Sequence, residues 1–197
     1  ASTNDMQAGG ITVQGRVDFS DFEFKSISAY RGFNQAYSND NRFRSDQAYA
    51  GSNYTADDKT FTQEFQLTGS LFNDRVTFVS GLFYLNSLTH STINQPASAG
   101  NPTWYTRQLA TSEAAYVDAT VDLFAGLSLS GGLRYTHDEK EAEQARRSTT
   151  TNFRGEGKES WSDTSPRVSL DWKINDDLLA YISWGKGFKG GALNTNE

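Results

Sequence analysis

The sequence contains no cysteine. That single absence removes disulfide frameworks, thiolate metal sites and cysteine nucleophiles together, although it leaves the compartment open. No segment approaches ~18 consecutive apolar residues, so no transmembrane helix is expected. A transmembrane barrel stays open, because its strands alternate and average out as polar. Positive charge is also short, with 18 Lys and Arg against 24 Asp and Glu, a net charge of -6 and a pI near 5.0. No nucleic-acid partner is expected of such a chain, and no basic stripe contradicts this. The opening segment ASTNDMQAGG has neither a charged nor an apolar leader region. Either a leader has been removed or the chain is an internal piece of a longer one.

What is present is aromatic and polar at once. Only 36% of residues are hydrophobic and mean hydropathy is -0.64, yet aromatics reach 13% and there are 17 glycines. The length of 197 residues fits one ordinary domain. Such a composition suits strands whose two faces meet different solvents better than a chain wrapped around an apolar centre.

Alternation begins at ITVQGRVDF, with Ile11, Val13, Val17 and Phe19 opposite Thr12, Gln14, Arg16 and Asp18. Ser20-Asp21 turns the chain into FEFKSISAYRGFNQAY, whose faces blur after Phe24, and SNDNRFRSDQAYAGSNYTADDK reads as a long loop. The unit recurs three times. TFTQEFQLTGSL turns at Asn73-Asp74 into RVTFVSGLFYLNS; AAYVDATVDL turns near Ala125-Gly126 into LSLSGGLRYTHDE; SDTSPRVSLDWKI turns at Asn175-Asp176-Asp177 into LLAYISWGKGF. Long polar segments, roughly 89–111 and 141–160, separate the units.

Short turns at one end and long loops at the other mark an outer-membrane barrel, with turns periplasmic and loops extracellular. The expected fold is therefore all-β, an antiparallel transmembrane β-barrel segment of about eight strands in four hairpins. Phe19, Phe72, Phe124 and Trp172 fall beside the tight turns, where an interfacial girdle belongs, and Trp184 and Phe188 mark the opposite interface. A secreted β-sandwich or adhesin would use the same hairpins with less regular loops. In HDEKEAEQARR the spacing of Glu139, Glu143 and Arg147 permits a short helix, and a strand running into a charged loop serves equally.

Signs of chemistry are thin. GKGFKGG, residues 185–191, has the letters Gly185-x-Gly187-x-x-Gly190 of a dinucleotide loop, but no helix follows and no ribose-binding acid lies about 20 residues on. It reads instead as a membrane strand leaving the bilayer, with Leu178, Ala180, Ile182 and Trp184 outward and Lys186 and Lys189 near headgroups. His90 and His137 have no elbow serine and no second histidine at ligand spacing. The run Ser38-Asn39-Asp40-Asn41 has one acid, too few for calcium, and no carboxylate pair stands out as glycosidase-like. No metal, no cofactor and no catalysed reaction are expected.

GLRYTHDEKE, residues 132–141, resembles the barrel of TonB-dependent receptors. FEFKSISAYRGFN, QEFQLTGSLFNDRVTFVSGLFY and SDTSPRVSLDWKINDDLLAYISWGKGFKGGALN resemble further hairpins of that family in order and spacing, from about Ile11 onward. The resemblance implies active uptake of a ferric siderophore or similar large nutrient complex across a Gram-negative outer membrane. It also implies a plug domain, an energy-coupling box and about 22 strands ending in an aromatic residue. The chain shows neither of the first two and ends in Asn-Thr-Asn-Glu, so residues 1–197 read as part of such a barrel. A passive small barrel of eight strands, or an adhesin, is the alternative.

The partners implied are outer-membrane lipid and lipopolysaccharide, an iron–siderophore or other nutrient ligand, and the TonB–ExbB–ExbD machinery acting through the plug. Trp104, Tyr105, Arg107, Arg146, Arg147 and Arg154 are the residue types that hold an aromatic anion, with His137 beside them. The arginines serve equally as contacts for lipopolysaccharide phosphates or as solubilising charge. Arg16, Glu64, Asp118, Asp122, Arg134, Arg167 and Asp171 are expected to face the lumen as mixed-sign bracing.

Overall fold

A computed structural model describes residues 2–40, 51–96 and 100–193. It is one antiparallel sheet of eight strands in sequence order: β1 (Thr3–Phe19), β2 (Phe22–Asp40), β3 (Gly51–Leu71), β4 (Val76–Asn94), β5 (Thr103–Phe124), β6 (Leu127–Arg147), β7 (Phe153–Lys173) and β8 (Leu179–Gly185). β1 and β8 are the two ends of the order, and the sheet is not closed. No helix occurs among the described residues, so none is long and apolar enough to cross a membrane; this says nothing about crossing by strands.

The four expected tight turns all stand between paired strands. Phe19 opposes Phe22 across Ser20-Asp21, and Phe124 opposes Leu127 across Ala125-Gly126. Backbone bonds lace neighbouring hairpins together at this end, among them Ser70 N–H to the Asp21 carbonyl at 3.2 Å and Lys173 N–H to the Gly126 carbonyl at 2.8 Å. Ala125 and Gly126 both have positive φ, 50° and 76°, the type I′ pairing that matches strand twist. Alanine is poorly suited to that region. Ala125→Asn should therefore stabilise the hairpin by about 0.5–1 kcal/mol, read as a higher urea midpoint, because asparagine tolerates the left-handed region.

At the other end the strands run further than the alternation of apolar residues predicts. Most of 51–59, 89–94, 103–111, 141–147 and 153–160, expected as loop, is paired strand. HDEKEAEQARR takes the strand form of its two readings, since β6 continues through Arg147. Residues 41–50, including the Asn41 end of the Ser38–Asn41 run, lie outside the described residues.

Register assigns the faces, since directly opposed residues share one. On one face lie Ile11, Val13, Val17 and Phe19, then Phe24, Phe61, Phe65, Leu67, Leu82, Val117, Leu133, Val168 and Ile182. In β2 this face carries Ser26 and Ser28, which bond Gln63 of β3, and that hydrophilic patch is why alternation blurs after Phe24. The other face is polar, and it is the enclosed one: among the described strand residues the buried side chains, Ala29, Ala114, Thr136 and Ala142, all lie on it. The core hydrophobics are three alanines, while Leu82, Val117, Leu133 and Ile182 are exposed. The sheet is thus inverted relative to a water-soluble sandwich.

In β3 the apolar band runs from Phe61 to Leu71, matching the roughly 9–11 residues a strand needs to cross a bilayer. β5, with 22 residues, is about twice that long. Phe19, Phe72 and Phe124 stand exposed at the tight-turn end, with Trp172 near it at the close of β7. Trp184 stands near the far end of β8 on the apolar face.

Candidate functional site

The polar face carries a belt of cross-strand contacts. Its first row runs Arg16, Lys25, Gln66, Gly81, Tyr116, Arg134 and Ser165; the next, nearer the turns, runs Asp18, Glu23, Thr68, Val79, Asp118, Gly132 and Arg167. Ion pairs join the two rows and also run along the second. Arg16 meets Asp18 at 3.1 Å and Glu23 at 3.2 Å, Lys25 meets Glu23 at 2.6 Å, and Arg167 Nε meets Asp118 Oδ2 at 2.6 Å. Arg134 lies over the rings of Tyr116 and Phe83, and the Tyr116 hydroxyl donates to Glu64 at 2.6 Å.

Two glycines make these reaches possible. Tyr116 crosses β4 over Gly81, where an added Cβ would lie 2.6 Å from the phenol and 2.7 Å from the Phe65 carbonyl. Asp118 and Arg167 meet over Gly132, where a Cβ would run into Asp118 Oδ2. Of the residues expected to brace this face, Arg167 pairs with Asp118, Arg16 pairs with Asp18 and Glu23, and Glu64 and Arg134 meet through Tyr116, while Asp122 and Asp171 enter no ion pair among the described residues.

Farther from the turns, Asp58 accepts hydroxyls from Thr60, Ser87 and Thr89 at 2.7–2.9 Å. Burial alone would raise its carboxyl, but the bonds from Thr89, Thr60 and Ser87 outweigh that and hold it below the ordinary value. Near the far end a row of rings crosses the same face: Tyr37, Tyr54, Ile93, Trp104, Arg146 and Phe153 oppose one another in turn from β2 to β7. At about 4.8 Å per strand the row is about 24 Å wide. The Arg146 guanidinium lies 5.4 Å from the Trp104 ring centre.

The seven candidate ligand residues divide between the faces. Trp104 and Arg146 share the polar face with this row. Tyr105, Arg107, His137, Arg147 and Arg154 share the opposite face, which continues the apolar band outward. There Arg147 lies 5.7 Å from the Tyr105 ring, and Glu143 stands between Arg107 at 3.7 Å and Arg154 at 3.8 Å. Tyr105, Arg107, Glu143, Arg147, Arg154 and His90 line a concavity of about 640 Å³, which His137 does not reach. His90 Nδ1 lies 3.6 Å from Asp57, and His137 Nδ1 lies 2.8 Å from the Ser162 hydroxyl. Nearby, Lys158 sits between Glu139 at 2.8 Å and Glu141 at 2.7 Å. Its bonds to those carboxylates raise its ammonium above the usual lysine value, and Lys158 in turn lowers Glu141.

Sequence reasoning did not find Tyr37, Tyr54 or Phe153. Their signal is position: each falls on the inward phase of a strand once β2, β3 and β7 are extended through the polar segments. Lys186, expected near headgroups, instead reaches the polar face and pairs with Asp163. Phe188 follows it, half-buried and beyond the end of β8.

A family model described as TonB dependent receptor-like, beta-barrel, matches residues 2–196. Among curated proteins no sequence matches. The fold is similar to the ferric yersiniabactin uptake receptor FyuA from Yersinia pestis, with TM-score 0.78 and 19% identity over 88% of this chain and 27% of that one. It is similar also to the ferric citrate transporter FecA, with TM-score 0.63 and 16% identity over 89% and 26%. A third is BauA, the ferric preacinetobactin receptor from Acinetobacter baumannii, with TM-score 0.67 and 13% identity over 91% and 30%. The chain spans between a quarter and a third of each of these structures.

Proposed function

Because the chain belongs to the TonB dependent receptor-like β-barrel family, we propose that it forms part of the wall of an outer-membrane transporter that takes up a ferric siderophore or similar nutrient complex. Residues 1–197 would then be one stretch of a larger barrel, with the plug and the TonB–ExbB–ExbD machinery acting on parts outside it. The observation that carries the ligand side is the row of Tyr37, Tyr54, Trp104, Arg146 and Phe153 on the enclosed polar face. Rings offer stacking and the guanidinium offers charge, which suits an aromatic anion entering the lumen.

The arginines of the opposite face have a different reading. Arg107, Arg147 and Arg154 lie on the lipid side beyond the apolar band, so the anions within reach are lipopolysaccharide phosphates. A passive eight-stranded barrel would pair β1 with β8, and the strand order does not favour it.

Uptake of radiolabelled iron by an iron-starved strain producing the receptor tests the reading with a panel of ferric siderophores. One complex should depend on the receptor. W104A and R146A should each weaken its binding about five- to thirty-fold, the range for loss of a stacked cation and a large ring. R154A should leave that binding within about twofold, as an exposed charge on the other face. Equal losses from R154A and R146A would place the ligand elsewhere.

A further inference from the structure

Past the apolar band, the outer face of the sheet carries a trough that runs across the strands. In β5 the band on that face comprises Val121, Ala119, Val117 and Ala115, and Glu113 is the first charge beyond it. Arg107 stands about 20 Å further along the strand, which is about 15 Å higher at a tilt near 40°. That height clears the headgroup layer, which adds about 5–8 Å to each side of a bilayer. Two neighbouring rows build the trough. Gln7, Asn34, Asp57, His90, Arg107 and Glu143 oppose one another in turn from β1 to β6, and the next row outward runs Asp5, Ala36, Thr55, Thr92, Tyr105 and Ala145. The second row is mostly small and forms a floor about 24 Å long. Tyr105 sets a ring in that floor, 43% exposed. Two concavities, of about 410 and 640 Å³, lie along the rows and share His90 and Thr92. Their linings differ in charge. The first has the amides of Gln7 and Asn34 with the carboxylates of Asp5 and Asp57. The second has Arg107, Arg147 and Arg154 on this face against the carboxylate of Glu143, and Arg147 meets the Tyr105 ring rather than an acid.

We propose that this trough is a saccharide seat, occupied by a phosphorylated oligosaccharide of the surrounding outer leaflet. The inference rests on the outer-membrane placement and sharpens the lipopolysaccharide reading of the arginines. Sugar hydroxyls both donate and accept, as do the amides of Gln7 and Asn34, while Asp5 and Asp57 accept. The apolar face of one sugar ring fits the exposed ring of Tyr105. Beside it Arg147 presents a guanidinium suited to a phosphate. A phosphate at this height is carried on a sugar and not on the lipid anchor, because the headgroup layer lies below. A protein partner fits less well, since the polar lining has no apolar pocket for an anchoring side chain. Sugar chains tethered to the lipid around the wall are also present at high effective concentration, so shallow, hydrated contacts are enough to hold one.

The receptor purified in mild detergent tests this when it is produced in cells whose lipopolysaccharide carries a phosphorylated core, an unphosphorylated core or the lipid anchor alone. Native mass spectrometry counts the lipopolysaccharide retained per receptor. Retention should fall about five-fold or more from the first to the last, the combined loss of a ring contact and an exposed charged contact. Y105A should lower retention of both cored forms about two- to ten-fold, as for one ring contact. R147A should act mainly on the phosphorylated form, lowering its retention about two- to five-fold. T92W fills the floor without removing a charge; it should lower retention of both cored forms, and it keeps the test open should Y105A fail to fold. Equal retention of all three lipopolysaccharides overturns the saccharide seat, as does a loss through R147A with Y105A and T92W both silent. Either result leaves the outer-membrane placement standing, with the phosphates of the anchor as the arginines' partner. Absence of lipopolysaccharide from every preparation overturns the seat together with that placement.

Discussion

A lysine in place of Leu67 is expected to cost about 2–4 kcal/mol of folding stability in lipid vesicles, the range for a cation near the centre of a lipid-facing barrel strand. Leu67 lies within the Phe61–Leu71 band, 38% exposed, between Phe24 and Ser80 on the apolar face. Its neighbour Gln66 points the other way, where its amide donates to Glu64 at 3.0 Å. Q66K places a cation beside that carboxylate and should cost under about 1 kcal/mol. The pair separates the proposed membrane from every alternative that folds in water. In a soluble sandwich buried on the apolar face, L67K would still be costly, but folding would need no lipid. Urea unfolding with and without vesicles reads both effects, and equal costs at the two positions would contradict the face assignment.

The second large effect is expected at Gly81. A valine there meets the Tyr116 ring and, at 2.7 Å from its Cβ, the Phe65 carbonyl. A phenol can swing away; a carbonyl in the β3 ladder cannot. G81V should therefore cost about 2–4 kcal/mol, combining overpacking with loss of the Tyr116–Glu64 bond. Adding Y116A should recover part of this but not all. G132V is the contrast, because the nearest atom to its Cβ is the tip of the Asp118 side chain, and the Arg167–Asp118 pair it displaces is two-thirds exposed on the arginine side. Its cost should stay near about 1 kcal/mol. Similar losses at both glycines would mean that the space over β4 is not what Gly81 provides.

Turns and the apolar band were legible in the sequence for the same reason: each has a local chemical mark. Asn73-Asp74 and Ala125-Gly126 break the pattern in the chain itself, and Phe61, Phe65 and Leu67 alternate with Thr62, Glu64 and Gln66. The outer halves of the strands carry no such mark. In β6 the successive residues Glu139, Lys140 and Glu141 are charged on both faces, because both faces there meet water, and hydropathy cannot distinguish them. The ring row was hidden one step further. Tyr37 and Trp104 stand far apart in sequence and align only when register is counted without interruption from the turns. The division of the arginines follows from the same count: Arg146 and Arg147 are neighbours in the chain and lie on opposite sides of the wall. Lys186 escaped for another reason, since it follows Gly185, where β8 ends and alternation no longer directs the side chain.

The belt of the polar face has a mechanical side. Each strand contributes a charge, a ring or a gap that fits only one height of its neighbour, as when Asp118 and Arg167 close over Gly132. Sliding one strand by two residues would keep every side chain on its proper face, yet it would replace the glycine under a bridge with a side chain, Val79 or Phe83 beneath Tyr116 and Ser130 or Arg134 beneath Asp118 and Arg167. The rows therefore act as shear pins between staves, and a load applied to one strand is shared by those beside it rather than relieved by slippage.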